Sequence, residues 1–135
     1  MNRSPFLVSF VALACVFPAR AQMVAQPQTS ATVLTVTLSS YEFAPAQLAL
    51  QHGVLYRLHL VNASGKSHSF SAPELFKAST IAPADQVKIE NGAVDVDGGS
   101  NVDIQIAPLT PGTYKIECTH FLHSTFGMHA MATVS

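Results

Sequence analysis

Across residues 31–135, polar and apolar side chains trade places in short runs with a period of two. Val33-Leu34-Thr35-Val36-Thr37-Leu38 alternates Thr with aliphatic residues, the mark of a half-buried strand. In Leu55 to Val61, Tyr56, Leu58 and Leu60 fall on one face, with Leu55, Arg57, His59 and Val61 on the other. Val102, Ile104 and Ile106 alternate with Asp103 and Gln105, and Tyr114, Ile116 and Cys118 alternate with Lys115 and Glu117. A last run spans Met131 to Val134. Turn residues punctuate these runs at Gln51-His52-Gly53, Asn62-Ala63-Ser64-Gly65, Asp97-Gly98-Gly99 and Thr110-Pro111-Gly112. Only Glu74 to Ser79, after Pro73, predicts a helical turn or two, with Pro83 limiting its extent. Short strands, frequent turns and one small helical insertion predict an all-β sandwich.

The first residues follow a different rule. Arg3 precedes an apolar run from Phe6 to Phe17, and Ala19-Arg20-Ala21 fits a small-x-small cleavage site. Residues 1–21 therefore read as an export signal and 22–135 as one domain, placed in the periplasm or secreted. The apolar run is too short for a membrane span. A competing reading makes Ala12-Leu13-Ala14-Cys15 a lipoprotein signal, anchored through Cys15.

Composition narrows the function. Of 135 residues, 7 are Lys or Arg and 8 are Asp or Glu, which gives no basic stripe for nucleic acid. Neither a G-x-x-x-x-G-K nor a G-x-G-x-x-G stretch is present, so nucleotide chemistry has no support. Loss of the signal removes two basic residues and one cysteine, which leaves a net charge of −3 and Cys118 alone. A lone thiol in an oxidising compartment is buried and inert, paired with another chain, or bound to a metal.

Its neighbours favour metal. Four residues separate Cys118 from His123, and four more separate His123 from Met128, with a strand expected from about Ala130. A short loop between packed strands brings its ends together, and Gly127 eases the turn back to Met128. Thiolate, imidazole and thioether select copper; the trigonal site with weak axial Met needs a second His. His68, beyond the Leu55 to Val61 strand and its turn, is the candidate. His120, His129 and Met131 are candidates for a second, weaker copper patch. A Cys–His nucleophile built on Cys118 lacks a third orienting group.

With these residues the sequence resembles the cupredoxins, the small blue copper proteins. The resemblance rests on His68, Gly112, Tyr114, Ile116, Cys118, His123 and Met128, and on an early strand pair in Tyr41-Glu42-Phe43-Ala44-Pro45-Ala46-Gln47-Leu48 followed by Gly53. It implies a Greek-key sandwich and one copper cycling between Cu(I) and Cu(II). His68, Cys118, His123 and Met128 would be its ligands. It also implies a one-electron carrier, or alternatively a copper carrier or sequestering protein without electron transfer, and in neither case an enzyme. The implied partners are a redox protein or a copper donor or acceptor, with the chain itself a monomer. Two positions depart from the family. Thr119-His120-Phe121-Leu122 stands where small residues, Pro and Gly are common. Ser69 stands where Asn is frequent, which leaves open whether a hydrogen bond there braces the loop.

Overall fold

A computed structural model describes residues 30–120 and 125–135. The alternating runs form strands as expected: β1 (Thr32–Ser39), β4 (Tyr56–Asn62), β8 (Asn101–Pro108), β9 (Gly112–Glu117) and β10 (His129–Val134). The early segment gives β2 (Glu42–Ala44) and β3 (Gln47–Leu50), yet the two are not partners. β2 pairs antiparallel with β1, whereas β3 runs parallel to β10 in the opposite sheet. The chain crosses between sheets at Ala44-Pro45, whose peptide is cis.

Three further short strands complete the sheets: β5 (His68–Ser71), β6 (Ser79–Ile81) and β7 (Ala93–Val96). Every residue of β5 is buried, so no alternation marks it. The helical insertion is α1 (Pro73–Lys77), with Pro at its first turn and Leu75 and Phe76 turned inward. A second turn, α2 (Pro83–Gln86), begins at the Pro taken as a limit on the first. Among the described residues, one sheet has the order β2-β1-β4-β8-β6 and the other β3-β10-β9-β5-β7. Successive strands repeatedly change sheets, which matches the Greek-key sandwich. No described helix is long and apolar enough to cross a membrane.

The inner faces meet in one core. Leu58, Leu60, Ile104 and Ile106 face Val96, Ile116, Ala132 and Val134. Phe43 of β2 stands edge-on to Phe70 of β5 with centroids 6.1 Å apart, and Phe70 reaches Phe76 of α1 at the same distance. This aromatic chain joins both sheets to the helix.

Polar groups fix the end from which β5 departs. Asn62 is buried, and its Nδ2 donates to the Lys66 and Val96 carbonyls, both at 2.8 Å. Its Oδ1 accepts from the Ser64 N–H at 2.9 Å and the Ser64 hydroxyl at 2.8 Å. A Cβ on Gly98 would lie 2.6 Å from the Gly65 carbonyl carbon, so two facing turns touch backbone to backbone. Together these contacts set where His68 begins its strand. Asn62→Ala removes four hydrogen bonds at a buried position. It should lower stability by about 2–3 kcal/mol in urea denaturation.

At another corner, α2 is tied to β8. Asp85 accepts from Lys88 Nζ at 2.6 Å and from the Gln105 N–H at 2.8 Å. The Lys88 hydrogen bond holds its carboxyl below the ordinary 3.8, with the Gln105 N–H adding to the effect and burial opposing it. A folded-state value below the unfolded one gives stability that is present above the unfolded value and lost as pH falls through the folded one. Asp85→Asn should therefore weaken the protein near neutral pH. It should also flatten the loss of stability below about pH 4, read from denaturation curves across that window.

Candidate metal centre

The pairing of β5 with β9 builds the site. Ser71 opposite Glu117 sets an antiparallel register that carries the start of β5 alongside the residues following β9. His68 opens β5 and Cys118 directly follows β9. Their side chains converge, with Cys118 Sγ 3.8 Å from His68 Nδ1. Both are almost fully buried, at 2% and 0% exposure. The expectation placed His68 through the neighbours of β4, but β4 lies in the other sheet. The strand that matters is β5 itself.

Ser69 answers the question its departure from Asn raised. Its backbone N–H points at Cys118 Sγ at 3.4 Å, and its hydroxyl lies 3.7 Å from the same sulfur. The Thr119 N–H donates to Ser69 Oγ at 2.8 Å, and the two hydroxyls are 2.9 Å apart. A serine and a threonine thus supply the brace. Sequence reasoning had doubted Ser69 and passed over Thr119; a hydroxyl beside the upstream His was the available signal. Hydrogen bonds to a ligand sulfur orient it and tune the metal it holds.

The Cys118 N–H donates to the Met128 carbonyl at 3.3 Å, which brings Met128 beside the cysteine. The Met128 side chain is fully buried in the same core cluster as Cys118. His123 lies outside the described residues. Among those described, no group of three or more His, Cys, Asp or Glu is gathered for a metal. Of the four expected ligands, the structure therefore brings together His68 and Cys118 and sets Met128 next to them.

Donor spacing and chemistry both fit a soft ion. With metal–sulfur of about 2.3 Å and metal–nitrogen of about 2.0 Å, donors at a trigonal angle stand about 3.7 Å apart, close to the Sγ–Nδ1 separation. Thiolate, imidazole and thioether together suit copper rather than hard cations. Beside His68 opens a cleft of about 400 Å³, lined by Ser40, Tyr41, Ser64, Gly65, Lys66 and His68.

The remaining histidines go elsewhere. His120 Nε2 is 3.3 Å from Asp95 of β7. His129 is exposed on β10, opposite Glu117. Asp95 and His129 are separated by β5 and β9, about 14 Å of sheet. His59 is half-buried and bonds Asp103 at 2.6 Å, while His52 meets the Ser135 carbonyl at 3.1 Å.

A family model for the cupredoxin-like domain matches residues 5–134, and the chain belongs to that family. Its fold is similar to a dithionite-reduced auracyanin from Roseiflexus castenholzii, 14% identical with a TM-score of 0.59, covering 78% of this chain and 98% of that one. Auracyanin A from Chloroflexus aurantiacus, described as a "blue" copper protein, is similar over 76% of this chain and 99% of its own, at 16% identity and a TM-score of 0.54. A multicopper oxidase from Aquifex aeolicus is 16% identical with a TM-score of 0.59, but the match covers 29% of that larger chain and 78% of this one. No curated protein sequence matches the chain.

Ser69→Ala keeps the backbone donor to sulfur and removes the hydroxyl brace. It should lower stability by about 1 kcal/mol and leave the Thr119 amide faster to exchange, read by denaturation and hydrogen exchange.

Proposed function

We propose that the protein is an exported copper protein that holds one copper through His68, Cys118, His123 and Met128 and carries single electrons. The observation that carries this reading is the approach of Cys118 Sγ to His68 Nδ1 in a buried pocket, with Met128 tied to Cys118 through the backbone. Copper, when bound, supplies a one-electron couple.

The chain's own residues do the rest. Burial of Cys118, His68 and Met128 keeps bulk water away from the donors. The Ser69–Thr119–Cys118 hydrogen bonds hold the thiol in one orientation, and the two sheets resist movement of the strands that carry it. Donors that cannot move far suit both oxidation states, because transfer then demands little rearrangement.

Export through residues 1–21 places the domain outside the cytoplasm, and the charge of −3 that remains favours a basic redox partner. The alternative, a copper carrier without electron transfer, draws on His120, His129 and Met131 as a second patch, and more than one tightly bound copper per chain would favour it. We take the protein to be an electron carrier rather than an enzyme.

Adding Cu(II) to the apoprotein should produce an intense visible thiolate-to-copper band. Cys118→Ser should abolish it, and His68→Ala should weaken copper retention at least about tenfold, the scale expected on losing even a supporting group of a metal site. A wild-type protein that develops no such band overturns the reading.

A further inference from the structure

Tyr41 occupies a backbone conformation that does not suit it. It is the second of two residues in the turn between β1 and β2, held at φ 65°, where Gly or Asn is the ordinary occupant. Its ring does not repay the strain by filling the core, since the residue is 46% exposed. The ring instead stands edge-on to Phe126, with centroids 5.3 Å apart and planes at 64°. Phe126 is 61% exposed and also contributes nothing to the core. Two exposed aromatics from distant parts of the chain thus meet at the metal end and pack ring against ring.

Phe126 is two residues before Met128. Gly127 between them, at φ 97°, turns the chain inward so that Met128 is buried and its carbonyl accepts the Cys118 N–H. On the other side, Tyr41 sits on a well-anchored hairpin. Ser39 pairs with Glu42, and the Leu38 carbonyl accepts the Ala63 N–H at 2.8 Å. The same Tyr41 walls the cleft beside His68. It therefore stands between the segment carrying the histidine and the turn delivering the methionine.

We propose that Tyr41 is a positioning residue: its ring pins Phe126, and through Gly127 holds Met128 against Cys118. The part of this that concerns copper rests on the proposed function. The part that concerns the thiol does not.

The test uses the full chain without metal. Alkylation of Cys118 by iodoacetamide is followed by peptide mass spectrometry, which separates it from Cys15. Tyr41→Gly should speed alkylation by about two- to twelve-fold, the range an aromatic pair commands. Tyr41→Phe, which keeps the ring, should stay near wild type. Phe126→Ala should match Tyr41→Gly, and the double variant should be no faster than the faster single one.

Glycine relieves the turn, so the melting temperature of Tyr41→Gly should stay level or rise, which separates loosened positioning from general unfolding. In the copper-loaded protein, transfer of copper to a competing chelator should follow the same order among the variants. Unchanged alkylation in Tyr41→Gly, equal acceleration in Tyr41→Phe, or additive effects in the double variant would each overturn the proposal. A wild-type protein that takes up no copper would sink the proposed function, and the thiol measurements would still decide the role of Tyr41.

Discussion

The register between β5 and β9 is the constraint on which the metal end depends. A strand shows alternate faces to its neighbours, so a slip of one residue in this pairing would turn His68 away from Cys118 and Ser69 away from the sulfur. The pairing between these strands is short, with Ser71 opposite Glu117 as its register point. Other contacts hold it in place. β5 pairs along its full length with β7, Phe70 is locked between Phe43 and Phe76, and Asn62 fixes the turn from which β5 departs. The donor geometry is thus set by core packing and backbone pairing.

Charged groups stand at the rim of that end, with Lys66 lining the cleft beside His68 and Asp95 meeting His120. Arg57, His59 and Asp103 interact on the outer face of β4 and β8, and Lys88 and Asp85 secure α2 at a separate corner. Cys118 Sγ is met by the Ser69 N–H, the Ser69 hydroxyl and His68 Nδ1, while its own N–H donates to the Met128 carbonyl. The Ser69 donors are dipoles aimed at the sulfur, and such hydrogen bonds tune the metal a thiolate holds.

Most of the sandwich was readable because its long strands bury one face only. β1, β4, β8 and β9 each announce themselves by alternation, and the position of Cys118 in phase with Ile116 put it correctly toward the core. β5 was not readable for the opposite reason: His68-Ser69-Phe70-Ser71 is enclosed on both sides, so no pattern separates it from a loop. β6 is too brief to carry a period, β7 does alternate in Val94-Asp95-Val96 and was open to the same reading, and α2 hides behind a proline that can open a helical turn as well as close one. The separation of β2 from β3 depends on which sheet each joins, a tertiary choice absent from local pattern. At the site, spacing alone brought Cys118 and Met128 together. The hydroxyl brace from Ser69 and Thr119 came from strand pairing that no spacing encodes.

The course of β10 has one more implication. The strand runs from Met128 at the metal end to Ser135, whose N–H and carbonyl are bound to the Leu50 carbonyl and the His52 N–H. That journey covers about 20 Å, the length of the sandwich. Whatever is joined to Ser135, whether further polypeptide or a surface to which the protein is tethered, leaves from the pole opposite the donors. The Ser135 pole and the pole of His68 and Cys118 are therefore kept a full strand length apart.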